Sequence, residues 1–215
     1  MIETGNALVI GIDTSTTVNV GLALDGEVLA TGTIGDSRAH VEQLMPLVQQ
    51  CLADGRRQLR EVDQIVVGLG PGPFTGLRVG LVTARTFGAV LGLPVLGVCS
   101  LDVLAYAGAA TGLDVFRVAT DARRKEAYWA DYAAGARVDG PHVDHPADVA
   151  YDGPVVGLGA QLYPEAFPDG REPLHPNAAD LARHVAAGLP TLEPVPLYLR
   201  RPDAVEPGAR KRVTG

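Results

Sequence analysis

From Gln64 to Ala110 the chain alternates short apolar runs with longer helical repeats: a strand over 64–69, a helix over 75–91, a strand over 95–98 and a helix over 101–110. Strands that alternate with helices pair in parallel through right-handed crossovers, so this stretch commits the chain to an α/β sheet covered on its faces. Ahead of it, residues 7–12 form another apolar run. Residues 18–24 and 27–34 flank Asp25-Gly26, the dipeptide of a tight hairpin turn. Residues 38–53 carry Val41, Leu44, Met45, Val48, Cys51 and Leu52 at helical spacing, with Asp36 or Ser37 as the cap and a kink expected at Pro46. The expected order is three strands with a hairpin, then helix, strand, helix, strand, helix: one mixed sheet.

Beyond Thr111 the texture changes, with more proline, glycine and aspartate and shorter periodic runs. Paired strands are expected over 115–121 and 127–132, joined by the charged turn Ala122–Glu126, then a strand and turn over 153–160 and a helix over 178–188. This predicts a first lobe over 1–110, a smaller second lobe over 111–200 and a mobile tail over 201–215. With 215 residues and 47% apolar content a real core is expected. A net charge of -7 excludes a broad basic surface, so any nucleic acid work draws most of its affinity from another subunit. The two cysteines, Cys51 and Cys99, have no zinc spacing, which fits buried thiols in a reducing compartment. The opening MIETGNALVIGIDTS lacks a signal peptide's basic and apolar regions, and no apolar segment spans a membrane; the expectation is a cytoplasmic protein.

Residues 70–78, GPGPFTGLR, follow a strand and open a helix, the position in which many proteins hold a phosphate. Two standard phosphate loops fail here. A P-loop needs GxxxxGK[ST], and Gly76 is followed by Leu77 and Arg78; a dinucleotide fingerprint needs GxGxxG, and Pro73 stands at the third glycine. A weaker anion site survives, with Thr75 as hydroxyl donor and Arg78 as counter-charge. The other reading is a tight turn that aims a helix. Within that helix Gly76, Gly80, Ala84 and Gly88 recur every fourth residue as a ridge almost without side chains. Leu77, Val79, Leu81, Val82, Phe87, Val90 and Leu91 make the rest apolar nearly all round, and the two charges, Arg78 and Arg85, share one face. A helix of that kind is buried on most sides, against a partner protein or against the chain's own elements.

Asp13-Thr14-Ser15 closes the first strand at its carboxyl end, where open α/β sheets present catalytic groups; an aspartate there can hold magnesium through water, or the hydroxyls can simply start a turn. His142 and His145 lie in a proline-bounded loop without further metal ligands. His40 has no HxxxH or HExxH continuation, and Ser100 lacks the GxSxG elbow. The Arg123-Arg124-Lys125 turn and the Arg210-Lys211-Arg212 tail are small basic patches suited to RNA phosphates within a larger assembly, or to plain solvation.

Taken in order, GIDTS at 11–15, RAHVEQLMPLV at 38–48, GPGPFTGLRVG at 70–80, DARRKEAYWA at 121–130 and PLYLR at 196–200 resemble the TsaB, or YeaZ, family over nearly the whole chain. Pro73 departs from the family pattern, which more often has serine there. The resemblance implies an actin, Hsp70 and sugar-kinase type of fold (ribonuclease H-like mixed sheets) in two lobes, the second reduced. It also implies a non-catalytic subunit in bacterial synthesis of threonylcarbamoyladenosine on tRNA, cytoplasmic, pairing with the catalytic subunit TsaD and joined by the ATPase TsaE. ATP and magnesium are then used by the partners, with no cofactor of this chain's own, and tRNA is reached through the complex. Consistent with that role, the sequence contains no HxxxH pair of the kind TsaD uses for metal.

By the same resemblance the helices over 40–53 and 75–91 carry the partner interface, which assigns Val41, Leu44, Met45, Val48, Gly76, Leu77, Gly80, Leu81, Ala84 and Gly88 to it. For the chain alone, a homodimer through the same ridge is the competitor to that pairing, and the sequence leaves self-association open. The alternative is an actin-like ATPase or small-molecule kinase that binds nucleotide through Asp13, Thr14 and the Gly157-Leu158-Gly159 turn, with Ser15, Thr75 and Arg78 as further anion contacts. A peptidase, an older label for relatives, has neither nucleophile nor metal set here.

Overall fold

Alternating apolar residues build the first sheet. In β1 (Leu8–Asp13) and β2 (Val18–Leu24) nearly every residue is buried. Strands covered on both faces require this. Leu8, Ile10 and Ile12 join Val18, Val20 and Leu22 in a core with Leu44, Val48, Leu81 and Phe87 of the helices α1 (His40–Asp54) and α2 (Phe74–Leu91). The intervening Val9, Ala23 and Val66 pack with Val103 of α3 (Ser100–Ala109) and with Ala178, Leu181 and Ala182 of α5 (Ala178–Ala186). With β3 (Glu27–Ile34), β4 (Gln64–Gly68) and β5 (Val95–Val98) the order is β3-β2-β1-β4-β5. The first three strands are antiparallel and the last two parallel. The structure, a computed structural model, describes residues 7–35 and 40–200, with His40 and Val41 as backbone only. The expected tail at 201–215 lies outside the described residues. Helix α1 continues through Pro46, and α2 stops where Gly92 turns left-handed at φ 69°.

The second sheet repeats that plan. Its strands are β6 (Val115–Asp121), β7 (Ala127–Ala133), β8 (Ala136–Asp144), β9 (Pro154–Val156) and β10 (Asp169–Arg171), in the order β8-β7-β6-β9-β10. Again a three-stranded meander is followed by two parallel strands. The short helix α4 (Leu158–Leu162) packs on it. Of the proline-bounded loop expected around the two histidines, His142 lies instead in strand β8, against the Trp129 ring at 4.8 Å and within hydrogen-bond distance of Asp139, while His145 follows the strand. Arg117, buried, is held in this lobe by both oxygens of Asp131 and by the Val149 carbonyl.

Helix α3 joins the two lobes, because Val103 faces the first sheet while Leu101 and Leu104 pack with Phe116, Val118 and Val156 of the second. Helix α5 does not stay with the strands that precede it. It returns to the first sheet, so the division expected at residue 110 does not hold for α5. What admits it is a cross-strand pair of glycines, Gly11 opposite Gly21. A Cβ on either would run into the α5 backbone at Ala178 or Ala179. Overpacking of such a notch costs about 1–3 kcal/mol. Gly21→Ala is therefore expected to lower unfolding stability by roughly that amount. Gly35→Ala, which meets nothing within 4 Å, should stay within about 0.5 kcal/mol of the parent; equal urea midpoints for the two would contradict this packing.

Candidate functional site

Asp13 ends β1 with its side chain fully buried. Its Oδ1 accepts from the Ser15 backbone N–H at 2.8 Å and the Ser15 hydroxyl at 2.6 Å, and its Oδ2 accepts from the Ser100 hydroxyl at 2.7 Å. Ser100 in turn accepts the Gly70 N–H at 3.1 Å. Gly68 leaves the space, since a Cβ there would overlap the carboxylate. Burial pushes the Asp13 pKa up, and the hydrogen bonds from Ser100 and Ser15 pull against it. Thr14, also buried, donates its hydroxyl to the Gly76 carbonyl of α2 at 2.7 Å. These atoms are engaged with one another and with the chain, so the expected anion set of Asp13, Thr14, Ser15, Thr75 and Arg78 does not form one open site. Thr75 is exposed on α2, and Arg78 lies over the Phe74 ring at 3.8 Å and reaches the Tyr198 hydroxyl at 3.3 Å.

The small-residue ridge of α2 faces inward. Gly76, Gly80, Ala84 and Gly88 are buried, as are Leu77 and Leu81. A Cβ at Gly80 would strike the Thr14 side chain, and one at Gly88 would crowd Val95. The chain's own first sheet therefore covers the ridge, which corrects its assignment to a partner. Leu44 and Val48 of α1 belong to the same core, and the Val41 side chain lies outside the described residues. Met45 is the one expected interface residue of α1 shown to be exposed, at 41%. What α2 does present is a stripe missed in the sequence: Val82 at 62% and Val90 at 75%, with Arg78, Arg85, Thr86 and Ala89. The signal was available, for Arg78 and Arg85 mark the solvent side and Val82 falls between them on the same face.

A cleft opens where the loops after β1 and β6 meet. One cavity of about 300 Å³ is lined by Gly72–Thr75, Asp121–Arg124, Tyr128 and Tyr198–Arg200. A neighbouring one of about 220 Å³ is lined by Ser15–Thr17, Asp121, Arg123, Leu158 and His175. The Gly157-Leu158-Gly159 turn thus comes near the cleft through Leu158. Arg123 pairs with Asp121 at 3.2 Å, and Arg200 pairs with Glu126 and donates to the Ala122 carbonyl. Among the described residues no group of three or more His, Cys, Asp or Glu is placed to hold a metal, and no helix is long and apolar enough to cross a membrane.

The sequence model of the family described as TsaD, tRNA N6-adenosine threonylcarbamoyltransferase, matches residues 35–204. An uncharacterized protein of Mycobacterium leprae is 44% identical over 207 residues, 92% of this chain and 56% of that protein. The tRNA threonylcarbamoyladenosine biosynthesis protein TsaB of Escherichia coli is 35% identical over 126 residues, 58% of this chain and 54% of that one. The chain thus spans a little over half the length of these two relatives. The solved structure of YeaZ from Pseudomonas aeruginosa superposes with a TM-score of 0.75 at 29% identity, covering 90% of this chain and all of that one.

The chain belongs to the TsaB/YeaZ family. Its fold is that of the family, two mixed five-stranded sheets that share one strand order.

A carboxyl whose pKa is raised by folding holds its proton more tightly in the folded chain. Its contribution to stability is therefore complete below the ordinary aspartate pKa of about 3.9 and declines as pH rises through the raised value. Relative to the parent, Asp13→Asn should accordingly gain stability between pH 4 and pH 8, read as urea midpoints across that range; a difference that stays flat with pH would contradict a raised Asp13.

Proposed function

We propose that this chain is a required, non-catalytic subunit in tRNA threonylcarbamoyladenosine synthesis, pairing through α1 and α2 with the TsaD catalytic subunit and working with the ATPase TsaE. The observation that carries this reading is the set of exposed apolar side chains Val82 and Val90 on α2 and Met45 on α1, left in water on helices whose opposite faces pack in the core. Exposed apolar surface of that kind marks a docking face. The state of Asp13 supports the absence of catalysis: a carboxylate with no exposed surface and both oxygens already accepting offers nothing to a phosphate or a cation. The family names of its relatives supply the pathway, and tRNA is engaged through the complex. ATP and magnesium serve the partner subunits, and the site of action is the cytoplasm.

The reading is tested by copurification with TsaD and TsaE and a tRNA modification assay with each component left out in turn. Omitting this chain should abolish modification, and Val82→Glu should weaken pairing at least tenfold with an unchanged thermal midpoint. Modification that proceeds without the chain refutes the role. Micromolar ATP–magnesium binding by the purified chain, lost in Asp13→Ala, would instead favour the actin-like ATPase or kinase.

A further inference from the structure

The apolar surface does not end with the helices. Residues 192–200 belong to no helix or extended strand, yet they are tied to the first lobe along their length. Leu192 and Gly97 exchange backbone hydrogen bonds of 2.8 and 2.9 Å, which adds one antiparallel bridge beside β5. The Leu197 N–H donates to the Leu69 carbonyl at 2.9 Å, and its side chain packs against the cores of both lobes. From α2, Arg85 donates to the Pro194 carbonyl at 2.6 Å and Arg78 donates to the hydroxyl of Tyr198, whose ring lies tilted by 31° against Phe74 at 4.7 Å. Arg200 then reaches across to the second lobe at Ala122 and Glu126. Such a segment is a fixed strap, held against α2 on the flank of its exposed stripe.

Around Glu193 the strap shows three apolar side chains to water: Leu192 is 42% exposed, Val195 56% and Tyr198 37%. Val82 and Val90 are the exposed apolar residues of the helix to which the strap is tied through Arg78 and Arg85. We infer that residues 192–198 complete the docking face for the TsaD-type catalytic subunit, supplying Leu192, Val195 and Tyr198 as contacts that α1 and α2 alone do not provide. The inference rests on the pairing proposed above and extends its surface beyond the two helices.

The occupant follows from two observations. This chain matches the TsaD sequence model over 35–204, a span that includes α1, α2 and the strap, so a TsaD-type subunit is built on the same elements and offers a like face. Two like faces pack about an approximate two-fold axis, which brings α2 against its counterpart. The strap also changes what α2 offers there. Arg78 and Arg85 are the only charges on the helix, and both reach to the strap, where each donates to a neutral oxygen, so the charges of this face lie on its strap side.

The experiment uses the full chain and purified TsaD subunit, with affinity by calorimetry and thermal midpoint recorded for each variant. Val195→Asp and Leu192→Asp place a charge on side chains already in water, so the midpoint should not move while TsaD affinity falls at least tenfold. Val82→Glu is run beside them. Loss of affinity in all three supports the composite face. Loss in Val82→Glu with parental affinity in both strap variants overturns the strap's part and leaves the helix pairing standing. Parental affinity in all three, or no binding by the parent chain, removes the pairing itself and the inference with it. Sedimentation of the chain alone separates the competing occupant: if the strap variants dissolve a self-dimer but keep full TsaD affinity, the strap serves a second copy and the inference fails.

Discussion

The carboxylate of Asp13 is the fixed point of the molecule. It ends β1, holds the turn to β2 through Ser15, and through Ser100 holds both the start of α3 and the turn after β4 at Gly70. A hydrogen bond to a charged group contributes about 1.5–3 kcal/mol. Taking a carboxylate out of water costs several kcal/mol, so the two nearly cancel. The value of the cluster is geometric. Because α3 is the wall shared by both sheets, whatever fixes its first residue fixes where the second lobe stands relative to the first.

Much of the fold was legible because short-range chemistry dictated it. Asp25-Gly26 made the hairpin, Gly92 ended α2, and alternation placed β6 and β7 within a residue of their observed ends. Strand β8 was missed because Gly140 and Pro141 interrupt it and its exposed positions carry no apolar alternation. The destination of α5 was illegible for another reason: its amphipathic pattern says that one face is buried but not against which sheet. That information sits in Gly11 and Gly21, whose meaning appears only once they are seen opposite each other.

The site shows the same limit more sharply. A ridge of small residues announces that something approaches closely, and in α2 the thing that approaches is Thr14 of the same chain. The apolar side chains that α2 leaves in water, Val82 and Val90, lie off that ridge, and in the sequence only the flanking Arg78 and Arg85 set Val82 apart from core. Likewise Asp13-Thr14-Ser15 was correctly placed at the end of a strand, but whether its oxygens face solvent or each other depended on Ser100, far along the chain. The turn GPGPFTGLR thus seats a helix against the Asp13 cluster.

The return of α5 to the first sheet has a bearing on synthesis. The notch at Gly11 and Gly21 stays open until Ala178 to Ala186 have been made, and the edge of β5 meets Leu192 later still. A ribosome that has released only the first half of this chain has therefore released a sheet with one face partly uncovered. Contacts of such long separation slow folding and leave apolar surface exposed meanwhile. The nascent first lobe thus keeps part of one apolar face in water until the last fifth of the protein has been made.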